Sequence, residues 1–223
     1  MQPEALRNVV KCLSDERINA YGNDHQSAIS AYTYNILLCE SFYPVLHFLE
    51  VGLRNAVDRA FTQKLGAKWI SDPRCFQMED AQFDLIAKTK QRLNSEGAPI
   101  TRGRVIGKAP FAFWTGLLEP AYEHRWHSVL KTAFPNLEGT ARKRATIADR
   151  FGVLRTFRNK VFHHDRIAHL NLEERHAQIL EAMGWIDRDL VDYAVALDGF
   201  KNRFPVAKDL GDRILEKLAA KNP

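Results

Sequence analysis

Residues 157–165 read FRNKVFHHD. An arginine, an asparagine and two histidines thus fall within two turns of a segment whose apolar residues recur at helical spacing. Arg158 offers a fixed cation whose planar fork suits phosphate oxygens. Five residues on, His163 offers an imidazole, the side chain that titrates near neutrality and can carry a proton. Two explanations compete: a helix surface that is simply polar, or the two halves of a phosphodiester-cleaving site. Spacing alone is a weak signal. With 19 arginines and 8 histidines, chance supplies about two Arg-to-His pairs four to six residues apart. Here both such pairs start at Arg158, ending at His163 and His164.

The elements that must position these groups are helical. At ~100° per residue, Leu154, Phe157 and Val161 make a narrow apolar stripe, and Arg155, Asn159, His163 and Arg166 a polar stripe beside it. Arg158 lies at the edge between the two, where packing can hold it and a cleft can still receive it. Apolar residues recur at three and four along most of the chain, and alternating β-branched runs are few. A short N-terminal helix should end near Tyr21-Gly22-Asn23-Asp24. A second should start around Ser27, carry Ile29, Tyr32, Ile36 and Leu37, and bend or restart at Pro44. Its continuation places Leu46, Leu49, Leu53, Val57 and Phe61 on one stripe, with Gly66 set to end it. WISDPRCF, residues 69–76, reads as a loop, followed by a helix from about Glu79 to Asn94. Residues 95–110, SEGAPITRGRVIGKAP, read as a basic loop able to cover a substrate or merely to connect. The aromatic segment after Pro110 is interrupted at Pro120, and its Phe113, Trp114, Leu117 and Trp126 read as core. PNLEGT is a turn before the motif helix, expected at about 141–165, and further helices fill 171–221. The whole reads as one all-α domain, residues 1–223.

Composition bounds the partners. With 45% hydrophobic and 26% charged residues, the chain has the profile of a globular domain. ISAYTYNILLCESFY is broken by polar residues and followed by Pro44, short of the ~20 apolar residues a bilayer requires, and the N-terminus lacks an apolar signal core. A cytosolic location is expected. Cys12, Cys39 and Cys75 are too scattered for a disulfide framework or a zinc site. The +5 net charge is uneven. Residues 142–166 hold eight cations (Arg142, Lys143, Arg144, Arg150, Arg155, Arg158, Lys160, Arg166) against Asp149 and Asp165. That leaves +6 there and −1 elsewhere. Such a patch favours a polyanionic partner, unless the fold brings acids to it. Within the helix pattern, Glu50 and Arg54 stand at i and i+4 and read as a structural pair; Glu50 orienting Arg158 is the lesser alternative. Arg54-Asn55 has no histidine in range and is no second motif. His124 and His127 lack the acid and spacing of a zinc helix, so no metal or other cofactor is expected.

FRNKVFHHDRI resembles the arginine, polar residue, three residues, histidine signature of the HEPN superfamily, in its Abi-like (abortive-infection) branch. HFLEVGLRNAVDRAF is similar to that branch's upstream helix, FAFWTGLL to its aromatic segment, and LKTAFPN to the link before the motif helix. The four stretches occur in the family's order. Arg166 departs from the pattern, standing where many relatives carry proline, which bears on how the helix ends.

The resemblance implies an all-α, HEPN-type helical bundle with additional helices, a homodimer with a composite site, and a metal-independent endoribonuclease of phage-defence or toxin type. RNA carries its own nucleophile, the 2′-hydroxyl, so the enzyme has only to move protons and stabilise a charged phosphorane. On this reading His163 is the general acid/base, Arg158 stabilises the transition-state charge, and Asn159 orients the imidazole or binds a phosphate oxygen. Arg155, Lys160 and His164 would contact substrate, and the ends would be a 2′,3′-cyclic phosphate and a 5′-hydroxyl. RNA is the expected partner, with an antitoxin or defence-complex protein as a further one. The alternative is a non-catalytic RNA-binding or protein-interaction module on the same scaffold.

Overall fold

The computed structural model describes residues 3–72, 75–76 and 81–220. Among them no strand forms, and the fold class is all-α as expected. The helices are α1 Pro3–Leu13, α2 Asp15–Asn19, α3 His25–Leu65, α4 Ala81–Ser95, α5 Arg102–Lys108, α6 Phe111–Gly116, α7 Glu123–Trp126, α8 Leu130–Ala133, α9 Arg144–Phe162, α10 Leu172–Ile186, α11 Arg188–Leu197, α12 Phe200–Arg203 and α13 Ala207–Ala220. The chain divides into two compact units. The first gathers Met1–Pro44, Asn159–His176 and Leu197–Pro223; the second gathers Val45–Arg158 and Ala177–Ala196.

In the first unit, α1 turns the 3.6-residue recurrence of Leu6, Val9, Val10 and Leu13 toward Ile18 of α2, Ile29 and Tyr32 of α3 and Leu215 of α13. Ser14, with φ +73°, separates α1 from α2; its hydroxyl accepts from the Arg17 amide at 3.3 Å and caps α2. Asp24 caps α3, its carboxylate accepting from the Ser27 amide at 2.9 Å, so α3 begins two residues earlier than Ser27. That bonding, the Ser27 amide above all, holds the Asp24 carboxyl below its ordinary range. Phe42, Phe200 and His176 pack as rings, with His176 stacked on Phe200 at 4.6 Å. The buried imidazole of His176 is bonded to Asp198, Nε2 to Oδ2, at 2.5 Å.

Three expectations need correction. Pro44 does not restart the helix: α3 runs on for 41 residues with Pro44 inside it, the residue forfeiting one bond, to the Glu40 carbonyl four positions back. The predicted apolar face of α3 also shifts. Ile29, Asn35, Leu38 and Phe42 are buried, whereas Ile36 is 48% exposed. The third concerns residues 95–110, where Thr101 caps a real helix, α5, whose Val105 and Ile106 are buried. Two of its three cations are engaged: Arg102 bonds both carboxylate oxygens of Asp58 at 2.6 Å, and Lys108 meets Glu96 at 3.3 Å. Arg92 and Lys108 together hold the Glu96 carboxyl below its usual range. The expected helix start at Glu79 and the middle of the 69–76 loop lie outside the described residues, as does the last residue of the 171–221 span. By length and composition α3 is apolar enough to cross a membrane, but the apolar positions Leu38, Phe42, Val45, Leu49 and Leu53 are fully buried in the fold.

The second unit is organised by aromatic packing. Leu46, Leu49, Leu53, Val57 and Phe61 form the predicted stripe of α3, and Phe113, Trp114, Leu117 and Trp126 are core, all buried. Phe61 sits between Trp69 and Trp126, at centroid distances of 5.0 and 4.9 Å. Each buried indole N–H finds an acceptor, as burial of a polar tip demands: Trp69 on Asp58 at 2.9 Å, Trp126 on the Leu117 carbonyl at 2.7 Å, Trp114 on the Ala109 carbonyl at 3.3 Å. Removing the ring that joins two of these tryptophans leaves a cavity that close-packed neighbours fill only in part. Phe61→Ala should cost about 3–5 kcal/mol, read as a lower urea midpoint with an unchanged slope; a midpoint within error of the parent would contradict this packing.

Candidate active site

Helix α9 buries Ile147, Phe151, Leu154, Phe157 and Val161 on one stripe, extending the predicted one by two residues. It begins at Arg144, after a 3-10 turn over Gly139–Ala141, and ends at Phe162. The motif histidines therefore lie beyond its last full turn, not within a helix running to 165. His163 still donates its amide to the Asn159 carbonyl at 2.8 Å, and His164 turns to φ +62°. The Asp165 amide then bonds the Lys160 carbonyl at 2.8 Å and the His164 amide the Val161 carbonyl at 3.4 Å. This is a Schellman cap with histidine at the left-handed position usually held by glycine. Arg166 does not end the helix in proline's stead; its guanidinium reaches the Ala20 carbonyl at 2.6 Å.

The chain leaving the cap is held by Asn35, which the sequence reading passed over. Its carboxamide donates to the Asp165 carbonyl at 3.1 Å and accepts from the amides of Ile167, at 2.8 Å, and Ala168, at 3.3 Å. Arg17 adds a bond to the His164 carbonyl at 3.3 Å. A clue was present in the sequence: an asparagine within the apolar run YNILLC, where burial demands partners.

The site residues separate by environment. Arg158, partly buried, meets Glu50 with Nε at 3.2 Å and Nη2 at 3.1 Å. The expected Glu50–Arg54 pair is thus corrected: Glu50 faces Arg158, and Arg54 donates to the Gly107 carbonyl at 3.1 Å. That carbonyl belongs to the last turn of α5, where acceptors lack helical donors and the dipole favours a cation. Arg155 reaches the Thr115 hydroxyl at 3.4 Å. Asn159, His163 and His164 are exposed and Lys160 is half-buried; among the described residues nothing engages the side chains of Asn159, Lys160 or His163. Arg158 and Glu50 belong to the second unit, and Asn159, Lys160, His163 and His164 to the first.

The basic patch is partly answered from within. Arg144 pairs with Glu123, Arg150 with Glu181 and Arg158 with Glu50. Three carboxylates from outside residues 142–166 take its +6 to +3. Arg142 is turned onto the Leu137 and Pro135 carbonyls, and Lys143 and Lys160 keep their charge without a carboxylate among the described residues. No group of three or more His, Cys, Asp or Glu able to hold a metal occurs among the described residues.

Cys39 lines the groove beside His164. Burial, with the Asp165 charge adding to it, pushes its thiol up to about 11. A neutral thiol is a poor nucleophile, so iodoacetamide at pH 8 should label exposed Cys12 and spare Cys39 until the pH approaches 11. Rapid labelling of Cys39 at pH 8, mapped by peptide mass, would contradict this. Asn35→Leu removes the partners of Asp165, Ile167 and Ala168, and should cost about 2–4 kcal/mol and speed hydrogen exchange at the Ile167 amide. Unchanged exchange there would mean that the carboxamide is dispensable.

Comparison of the chain with protein-family models, with curated proteins and with solved structures finds no match.

Proposed function

We propose that the protein is a cytosolic, metal-independent endoribonuclease of phage-defence or toxin type, built like the Abi-like branch of the HEPN superfamily that its motif resembles. The observation that carries this reading is the contrast within one motif. Arg158 is held by a carboxylate from α3, whereas His163, one turn after an exposed Asn159, is open to solvent on a capped helix end. A fixed arginine and an accessible imidazole are what phosphodiester transfer needs, since preorganised charge and a movable proton supply its two demands.

In the proposed reaction the 2′-oxygen attacks phosphorus as an imidazole takes its proton. The bond from phosphorus to the 5′-oxygen breaks, a second proton transfer neutralises the leaving oxygen, and a 2′,3′-cyclic phosphate and a 5′-hydroxyl remain. His163 moves the protons and Arg158 meets the phosphorane charge, with Glu50 setting the guanidinium's angle. Asn159, Arg155, Lys160 and His164 serve the substrate. The family that the motif resembles is usually a homodimer that brings two such motifs together, so a composite site shared by two copies belongs to this reading. The internal pairing of Arg144, Arg150 and Arg158 leaves room for a second reading, a non-catalytic RNA-binding or protein-interaction module in a defence or toxin–antitoxin complex.

The two readings part on cleavage of cellular RNA in excess EDTA, with identification of the new ends. His163→Ala and Arg158→Ala should each lower the rate by about 10²–10⁴-fold without changing the fold, and Glu50→Gln by about tenfold, through loss of orientation. Full activity in a folded His163→Ala variant would overturn the enzymatic reading. Salt-sensitive binding with no cleavage by the parent would favour the module.

A further inference from the structure

Two cavities of the first unit both have His164 in their lining. One, about 440 Å³, is lined by the rings of Tyr32, Tyr43 and Phe162, by Ile36, and by Cys39 and Glu40. Its apolar walls are open: Tyr43 is 57% and Ile36 48% exposed, and the Tyr43 ring leans on Phe162 at a centroid distance of 5.3 Å and an interplanar angle of 41°. The second, about 460 Å³, is polar and carries Arg17, Arg166 and Tyr21, with Glu16 and Asp165 also in its lining. Arg166 also lies over the Tyr21 ring, 6.0 Å from its centroid.

We propose that these two cavities, either side of His164, together hold one nucleotide of single-stranded RNA, its base among Tyr32, Tyr43 and Phe162 and its phosphate toward Arg17 and Arg166. This rests on the RNA reading above and adds to it a binding subsite next to the motif. Each cavity falls within the ~300–1,000 Å³ of small-ligand sites. Rings at a tilt, with one large face exposed, accept any base by stacking, the means by which single strands are held without sequence readout. The remaining walls leave this job to the rings. Asn35, at the back, spends its carboxamide on Asp165, Ile167 and Ala168, Cys39 stays a neutral thiol, and Glu40 is tied to Arg203 at 2.5 Å. On the polar side, Arg17 and Arg166 each give one nitrogen to a backbone carbonyl. A guanidinium carries five N–H donors, so each retains donors for a phosphate. Two carboxylates beside two arginines make that cavity formally neutral, so stacking provides most of the affinity and the arginines set direction.

The test uses the full chain carrying His163→Ala, so that the RNA stays intact, and a fluorescent single-stranded RNA containing 4-thiouridine. Expected are photo-crosslinks on the peptides bearing Tyr43 or Phe162 and binding about tenfold weaker in Tyr43→Ala, with Ile36→Glu, which sets a carboxylate in the groove, weaker still. Both positions are exposed, and unchanged thermal melting confirms the fold. Full-strength binding by both variants with crosslinks elsewhere would overturn the subsite, as would no binding at all. Loss of self-association in Tyr43→Ala without crosslinks would also overturn it, making the groove a contact between copies. Cleavage by the unmodified chain is read separately: cleavage without groove crosslinks leaves the nuclease reading standing alone, and groove crosslinks without cleavage leave the subsite standing alone.

Discussion

A helix that stops must hand its last carbonyls, and the chain that follows, to new partners. At the end of α9 that duty falls largely on one buried carboxamide. Asn35 bonds three backbone groups between Asp165 and Ala168, while the Schellman cap satisfies the carbonyls of Lys160 and Val161. The orientation of His163 and His164, the closing of the groove behind them and the reach of Arg166 to Ala20 all follow from where this turn is pinned. An asparagine suits the post because it presents a donor and an acceptor in one plane and carries no charge to desolvate.

Charge is managed on the same principle of local satisfaction. A cation inside a fold is costly unless paired, and the carboxylates that answer Arg144, Arg150 and Arg158 come from distant parts of the chain, Glu123, Glu181 and Glu50. The segment that dominates the protein's formal charge is therefore less basic than its sequence, and what remains is carried by particular side chains such as Lys143 and Lys160. Arg144, which is buried, depends most on its partner, since removing one member of such a pair leaves an uncompensated charge; the half-buried Arg158–Glu50 pair matters for direction more than for energy.

Periodicity made the helical class legible, along with the apolar stripe of α9 and the aromatic core. Leu154, Phe157 and Val161 recur at helical spacing, and Phe113, Trp114 and Trp126 are too large and apolar to be left in water. What stayed hidden depends on partners remote in sequence. Glu50 stands four residues from Arg54, and no local pattern tells that its carboxylate meets a guanidinium 108 positions away. Asn35 was obscured because a polar residue in an apolar run reads as a break in the stripe, and its burial inverted the expected roles of Asn35 and Ile36. The short α5 was masked by its glycines and by a proline at each edge, although Thr101 marked its start. The helix end at Phe162 was misjudged because histidine seldom takes the left-handed position.

The division of the chain into units also has a bearing on its biosynthesis. The first unit draws on the beginning, the middle and the end of the sequence, whereas the second needs nothing beyond Ala196. A ribosome releases residues from the N-terminus onward, so the second unit has all its parts while the first still lacks the segment from Leu197. His163, His164, Asn35 and the groove all belong to the unit that completes last. The site proposed to act on RNA thus depends on a segment translated after everything the second unit requires.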